Sequence, residues 1–267
     1  MRRRRRVFGL SVLASLVAFL SLGLAATGLL GVLWPIETGP QRITGVTQPP
    51  GTPWAGAQPE FGVDISFPQC GRRLGDLDGG YAIVGLDGGM PDRPNPCFAE
   101  QWRFAMRQTG AAVYVNTADN GRGDPRDVGR RAAEGDLEAL AEQGVAEGTP
   151  VWLDVELPEV WKGAPARHRA VITEHLRVLA AAGHPVGIYS ASALWAEITD
   201  GAKVDVPTWV GIGTASKARA SRVCAAESFG GRAPAIVQRI GTGSDGRPLD
   251  RNLTCPGTDL TGLIRPN

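Results

Sequence analysis

From Phe61 onward the hydrophobic positions fall into short runs, separated by turn clusters or by stretches in which apolar residues recur three or four apart. The runs are FGVDI (61–65), YAIVGL (81–86), AAVYVN (111–116), PVWLDVE (150–156), PVGIYS (185–190), PTWVGIG (207–213) and AIVQRIG (235–241), with PLDRNL (248–253) as a weaker eighth. Their length and their β-branched and aromatic content predict strands. Helical spacing is clearest over 97–109, 128–146 and 164–182. Strands followed by helices pair in parallel, and eight of them in about 200 residues predict a closed barrel. The expected fold class is therefore α/β, a (β/α)8-like TIM barrel with room for reduced or missing helices.

One run breaks the apolar pattern. In PVWLDVE, strand alternation sends Trp152, Asp154 and Glu156 one way and Val151, Leu153 and Val155 the other. The α carbons of the two acids are then roughly 6.6 Å apart, close enough for each charge to raise the cost of ionising the other. Buried charge is costly without a partner or a task. Arg239 and Arg251 are the candidate partners if the pair is merely structural. In a barrel of this kind the chemistry sits at the C-terminal ends of the strands. Asp64 ends the first strand and Asp250 lies near the last, and a closed barrel sets first and last strands side by side. Four carboxylates are thus expected around one cleft, although a strand-end Asp is also a common turn former or helix cap.

Composition changes the picture little: of 267 residues, 43% are hydrophobic and 21% charged, with a net charge of +1. That balance gives no reason to expect a nucleic-acid partner. The exception is the start, where RRRRR (2–6) precedes a stretch from Val7 to Trp34 without an ionisable side chain. Residues 1–34 read as a membrane anchor whose arginines stay in the cytoplasm, or as a signal sequence cleaved near Ala25 and Ala26. Either reading exports the rest of the chain. Residues 35–60, rich in proline, glycine and threonine, read as a linker, and 61–267 as the barrel domain. Export suits the four cysteines as disulfides. Proximity pairs Cys70 with Cys97 and Cys224 with Cys255, among three possible connectivities. No CxxC pair is present and the histidines lie elsewhere, so neither a metal nor another cofactor is expected.

GVDIS (62–66), VWLDVE (151–156), GIYSASALWAEI (187–198) and LDRN (249–252) resemble, in order and spacing, signature segments of glycoside hydrolase family 25, the N-acetylmuramidase lysozymes. The resemblance spans most of 61–255. It implies an extracytoplasmic enzyme that cleaves the β-1,4 bond between N-acetylmuramic acid and N-acetylglucosamine in peptidoglycan. It makes Glu156 the general acid and Asp154 the second carboxylate, with Asp64, Asp250 and Tyr189 bordering the substrate. Cleavage of this kind needs one carboxyl protonated and a neighbour charged, which crowding beside an indole favours. The chain departs from the family at GLDGG (85–89), which stands where the second strand usually ends in a Lys-Ala-Thr-Glu-Gly-like segment, with Asp87 filling either part of that role or none. It departs again at VQRIG (237–241), which keeps Gln238 but not the preceding Trp. Trp152, Trp195 and Trp209 are the candidates for sugar platforms or, equally, for core. These departures keep open a non-catalytic glycan-binding module on the same barrel, and action on chitin is a third reading.

The Gly-rich segments 88–96 and 241–248, and 117–125 with its RGD tripeptide, are expected as loops at the cleft mouth. His168 and His175, seven apart on a helix, are expected on a partly solvated face. Asn252-Leu253-Thr254 matches a glycosylation sequon.

Overall fold

The computed structural model describes residues 41–267. The anchor or signal at 1–34 lies outside the described residues, and among those described no helix is long and apolar enough to cross a membrane. In chain order the strands begin with β1 (Arg42–Ile43), β2 (Phe61–Ile65), β3 (Tyr81–Gly85), β4 (Gly110–Asn116), β5 (Val151–Asp154) and β6 (Val186–Ser190). They continue with β7 (Lys203–Val204), β8 (Thr208–Thr214), β9 (Ile236–Thr242), β10 (Pro248–Thr254) and β11 (Arg265–Pro266). The helices are α1 (Phe98–Ala105), α2 (Pro125–Glu142), α3 (Pro165–Ala181), α4 (Ser192–Thr199) and α5 (Lys217–Cys224).

Eight strands run in the order β4-β3-β2-β10-β9-β8-β6-β5, and the pairing of β4 with β5 closes them into a barrel. Seven are parallel. The eighth corrects the expectation of an all-parallel sheet: β10 runs antiparallel to both β9 and β2. The connection from Thr242 to Pro248 is a hairpin, far too short for the crossover that a parallel partner requires. The helices are reduced as expected, with only a 3-10 turn after β2 and none between β9 and β10.

Parallel strands buried on both faces read as continuous apolar runs, and β3 and β4 do so, with almost every residue buried. Helix α2 starts where Asp124 accepts a hydrogen bond from Arg126 N ahead of Pro125, so the aspartate of the RGD tripeptide is a helix cap. The outer faces of the strands pack under α1 to α4, with Val113, Val151 and Leu153 in one core with Ile172, Leu176 and Leu179 of α3. That helix also corrects the solvated-histidine expectation. His168 and His175 are buried, His168 against the Ile198 carbonyl and His175 between Asp136 and Thr117.

The barrel interior is filled by rings set against glycines. Tyr81 lies over Gly62 and Trp152 over Gly187 on the neighbouring strands, at paired register positions. Tyr114 stands over Gly85, where an added β carbon would be 2.5 Å from the ring. Leu260, Leu263 and Ile264 complete the base of this column, and Trp152 Nε1 donates to Leu263 O at 3.1 Å. The linker reading of 35–60 fails over its described part. Ile43 is buried where β1 pairs with β7. Gln48 exchanges two hydrogen bonds with Val186, and Gln58 bonds Asp259 and Leu260 N. Residues 41–60 are a strap on the barrel, because backbone of this composition still carries amides and apolar side chains that find partners at the sheet's base. Both disulfides form as proximity suggested, Cys70–Cys97 and Cys224–Cys255.

Candidate active site

At the C-terminal ends of the strands lies a cleft of about 870 Å³. Asp64, Asp154, Glu156 and Asp250 all line it. Register explains the convergence. Asp64 of β2 is paired with Asp250 of β10, and Asp154 ends β5 beside Tyr189 of β6. Alternation carries past the strand end, because Val155 N still bonds Tyr189 O, so Glu156 returns to the same face as Asp154. Leu157, with φ of +54°, then turns the chain away, and Trp161 Nε1 holds the Glu156 carbonyl at 3.1 Å.

Asp64 is the most firmly held of the four. Gln238 Nε2 donates to its Oδ1 and Asn252 Nδ2 to its Oδ2, each at 3.0 Å. Both amides are themselves oriented by aromatic donors. Tyr189 OH donates to Gln238 Oε1 and Trp209 Nε1 to Asn252 Oδ1, each at 2.9 Å. Trp209 is the hub below the carboxylates, with Tyr189 at 4.4 Å and Trp152 at 5.8 Å between ring centres. Asp154 has a different setting. Asn116 Nδ2 donates to its Oδ2 at 2.7 Å, while its Oδ1 is buried without a protein partner. Asn116 is fixed from behind by its own N–H, which donates to Asp87 Oδ2 at 2.8 Å.

No cation offsets this charge within bonding distance. Among the described residues, Arg239 and Arg251 make no ion pair, which removes the structural explanation for Asp154 and Glu156. Among the described residues, Arg219, exposed on α5, is the only basic side chain on the cleft wall. Burial, followed by the neighbouring carboxylates, therefore pushes the group affinities upward. Asp64 is raised by burial and Asp250, and Asp154 by burial, Glu156 and Asp64. Glu156 is raised by burial and by Asp250, against the Tyr189 hydroxyl facing it. One hydroxyl proton cannot serve two acceptors, and the bond of good geometry goes to Gln238. Asp250 is raised by burial alone.

Other expected site residues are placed differently. Tyr189, Gln238 and Trp209 line the cleft, Trp209 almost fully buried. Trp152 and Trp195 do not; both are core, Trp195 donating to Ala202 O. Asp87 also lies off the cleft, behind Asn116, where burial and Asp136 push its carboxyl up to about 8. The segments 88–96 and 241–248 do not line the cleft either. Asp245 is pulled onto Arg72 and Arg247, which folds the β9–β10 hairpin aside. The wall is built instead by 191–193 after β6, 211–213 at the end of β8, and α5 with the residues after it. Asn252 is buried at the heart of the site, so the sequon there is closed to modification in the folded protein. Asn116 and Asn252 are the site residues that sequence reasoning passed over. Their signal was a polar residue on the inward face near the end of an apolar run.

The family model described as lysozyme-like protein 1 matches residues 105–218. Among solved structures, the bacterial lysozyme from Streptomyces coelicolor superposes with a TM-score of 0.55 at 18% identity, covering 74% of this chain and 93% of that one. A muramidase from Trichobolus zukalii gives 0.54 at 17% identity, covering 73% and 92%. A family GH25 lysozyme from Aspergillus fumigatus gives 0.51 at 16%, covering 77% and 98%. The fold is that of the family 25 lysozymes. The resemblance read from four short segments thus extends to the whole barrel, in a chain that diverges from these lysozymes in most of its sequence. No curated protein matches by sequence.

Proposed function

We propose that the domain is an extracytoplasmic glycoside hydrolase that cuts the β-1,4 bond between N-acetylmuramic acid and N-acetylglucosamine in peptidoglycan. The observation that carries this reading is the set of four carboxyl groups without an ion-pair partner that line one cleft, all with raised proton affinity. A glycosidic oxygen leaves only when protonated, and the cationic centre that forms needs negative charge beside it. Glu156 is the proton donor. It is half-buried, so burial raises its proton affinity while the carboxyl still meets solvent to regain the proton. Asp154, oriented by Asn116 and with no protein partner at its buried Oδ1, positions the substrate's acetamido group or stabilises the cation. Asp64 and Asp250 hold sugar hydroxyls from the opposite side.

The proposed roles need the proton on Glu156 and the charge on Asp154, although burial raises Asp154 more strongly, so the developing positive charge of the substrate has to hold Asp154 ionised, and activity has a bell-shaped pH profile. Glu156→Gln should abolish reducing-end release from purified peptidoglycan with an unchanged circular dichroism spectrum. Retained activity rejects the assignment. Wall binding by the wild type without cleavage at any pH would favour the glycan-binding module, and a preference for chitin would change the substrate. The two departures that motivated the binding module fall outside the cleft: Asp87 is behind Asn116 and Val237 packs outward against the Cys224–Cys255 bridge. Those bridges support a location in an oxidising compartment. Whether residues 1–34 tether the domain to a membrane is tested by fractionation of cells producing the full chain.

A further inference from the structure

On the outer wall of the barrel α5 packs against β9, whereas among the described residues no helix packs over β10 and β2 beside it, because the β9–β10 hairpin brings none. On that wall Arg239 of β9 stands directly opposite Arg251 of β10. Like charges facing each other across a strand pair are destabilising, and among the described residues no acid pairs with either. Their guanidinium groups meet only main-chain carbonyls. Arg251 Nη2 donates to Thr242 O at 2.9 Å, and Arg239 Nη1 reaches Ala215 O at 3.5 Å. Asp245 in the adjoining hairpin is already held by Arg72 and Arg247.

A third cation, Lys217, stands in the first turn of α5, where the helix end is already positive. These three line a cavity of about 250 Å³ together with Thr242 and Phe61, whose ring is 41% exposed. Gly241 makes room for the arginines to share it. A β carbon there would stand 3.0 Å from Arg239 Nη1 and 2.9 Å from Arg251 Cγ, so a side chain would displace a guanidinium.

We propose that this pocket binds a phosphate group, free or carried on a phosphodiester chain. Two guanidinium forks and an ammonium suit a tetrahedral group with several charged oxygens better than a planar carboxylate, which one arginine fork saturates. Phe61 offers an apolar wall to the carbon next to the phosphate. The pocket lies on the barrel's outer face, apart from the carboxylate cleft, and does not depend on the reaction proposed there.

The test is calorimetric titration of the full chain with inorganic phosphate and with glycerol 3-phosphate at low ionic strength. The wild type is expected to bind both. Arg239→Gln/Arg251→Gln should weaken binding by about tenfold or more, since each lost charge-assisted hydrogen bond contributes on that order. Lys217→Gln should weaken it severalfold. Arg247→Gln, whose guanidinium is committed to Asp245, should change it by less than about twofold. Glu156→Gln should bind phosphate as the wild type does, which separates this site from the cleft. Thermal unfolding gives a second readout, because a ligand specific for the folded state raises the midpoint. Phosphate should raise the wild-type Tm and leave that of the double variant unmoved, and without phosphate the double variant should melt no lower than wild type. If the double variant fails to fold, Arg251→Gln alone carries the comparison. No phosphate binding by the wild type, or equal binding by wild type and folded variant, overturns the proposal. So does binding to phosphatidylglycerol vesicles that free phosphate cannot displace, which would assign the patch to a membrane surface.

Discussion

Replacing Asn252 by alanine should damage stability and the site together, through two hydrogen bonds that meet at one side chain. The amide accepts from Trp209 Nε1 and donates to Asp64 Oδ2. Both partners are buried, Trp209 at 1% and Asp64 at 5% exposure. Truncation leaves a buried indole N–H without an acceptor and a buried carboxyl oxygen short of a donor. At about 1–3 kcal/mol for each of the two stranded groups, the loss is ~2–6 kcal/mol, nearer the lower end if cleft water reaches Asp64. Trp209→Phe removes the same indole bond from the other side. The two losses should therefore fall short of additivity by about 0.5–3 kcal/mol in a double-mutant cycle measured by urea unfolding. The pH dependence has a definite sign. Burial and Asp250 raise Asp64, and the Gln238 and Asn252 amides hold it down, so removing Asn252 raises it further. A carboxyl raised in the folded state contributes stability that is present below its unfolded value and lost as pH rises through its folded value. The cost of Asn252→Ala should accordingly be smaller at acid than at alkaline pH. Additive losses, or a cost that shrinks with rising pH, would refute the network as described.

Three further outcomes rest on the same geometry. Asp87→Asn should stabilise the protein near pH 8 and have little effect near pH 4. The wild-type carboxyl, pushed up to about 8, loses stability progressively between its unfolded value and that pH, by up to about 5 kcal/mol, and urea unfolding across pH reads the difference. Gly187→Ala drives a β carbon into the Trp152 ring, which its bond to Leu263 O keeps from moving. Thermal unfolding should show a loss of about 1–3 kcal/mol, partly recovered by Trp152→Leu. The Cys224→Ser/Cys255→Ser double variant opens a loop of sequence separation 31 and should lose about 3 kcal/mol. Because α5 forms part of the cleft wall, steady-state kinetics on peptidoglycan should show a larger rise in KM than fall in kcat.

The eight barrel strands were legible to within a residue or two, since parallel strands covered on both faces leave unbroken apolar runs such as AAVYVN, while the two-residue β1, β7 and β11 were not. The long helices α2 and α3 were legible by spacing. The eight-residue α1 was legible too, whereas α4 and α5, equally short, were not. The direction of β10 was missed although the shortness of its hairpin was visible, the alternation of strands and helices having set the expectation of parallel pairing. In the site, the acids stood out because charge on a buried strand needs a reason. Their amide partners did not. Asn116 and Asn252 carry no charge, and at strand ends an asparagine looks like a turn former or a sequon. Trp152 and Trp209 lie two strands apart on the same inward face, and only the depth of each within the barrel decides which of them reaches the cleft.

The rings that face glycines inside the barrel tie the evolutionary history of neighbouring strands together. A ring cannot shrink at Trp152 without opening a void beside Gly187, and Gly187 cannot grow while that ring is there. Permitted changes come as paired exchanges, so sequences drifting from a common ancestor should show these positions changing in concert while the outward-facing residues between them vary independently.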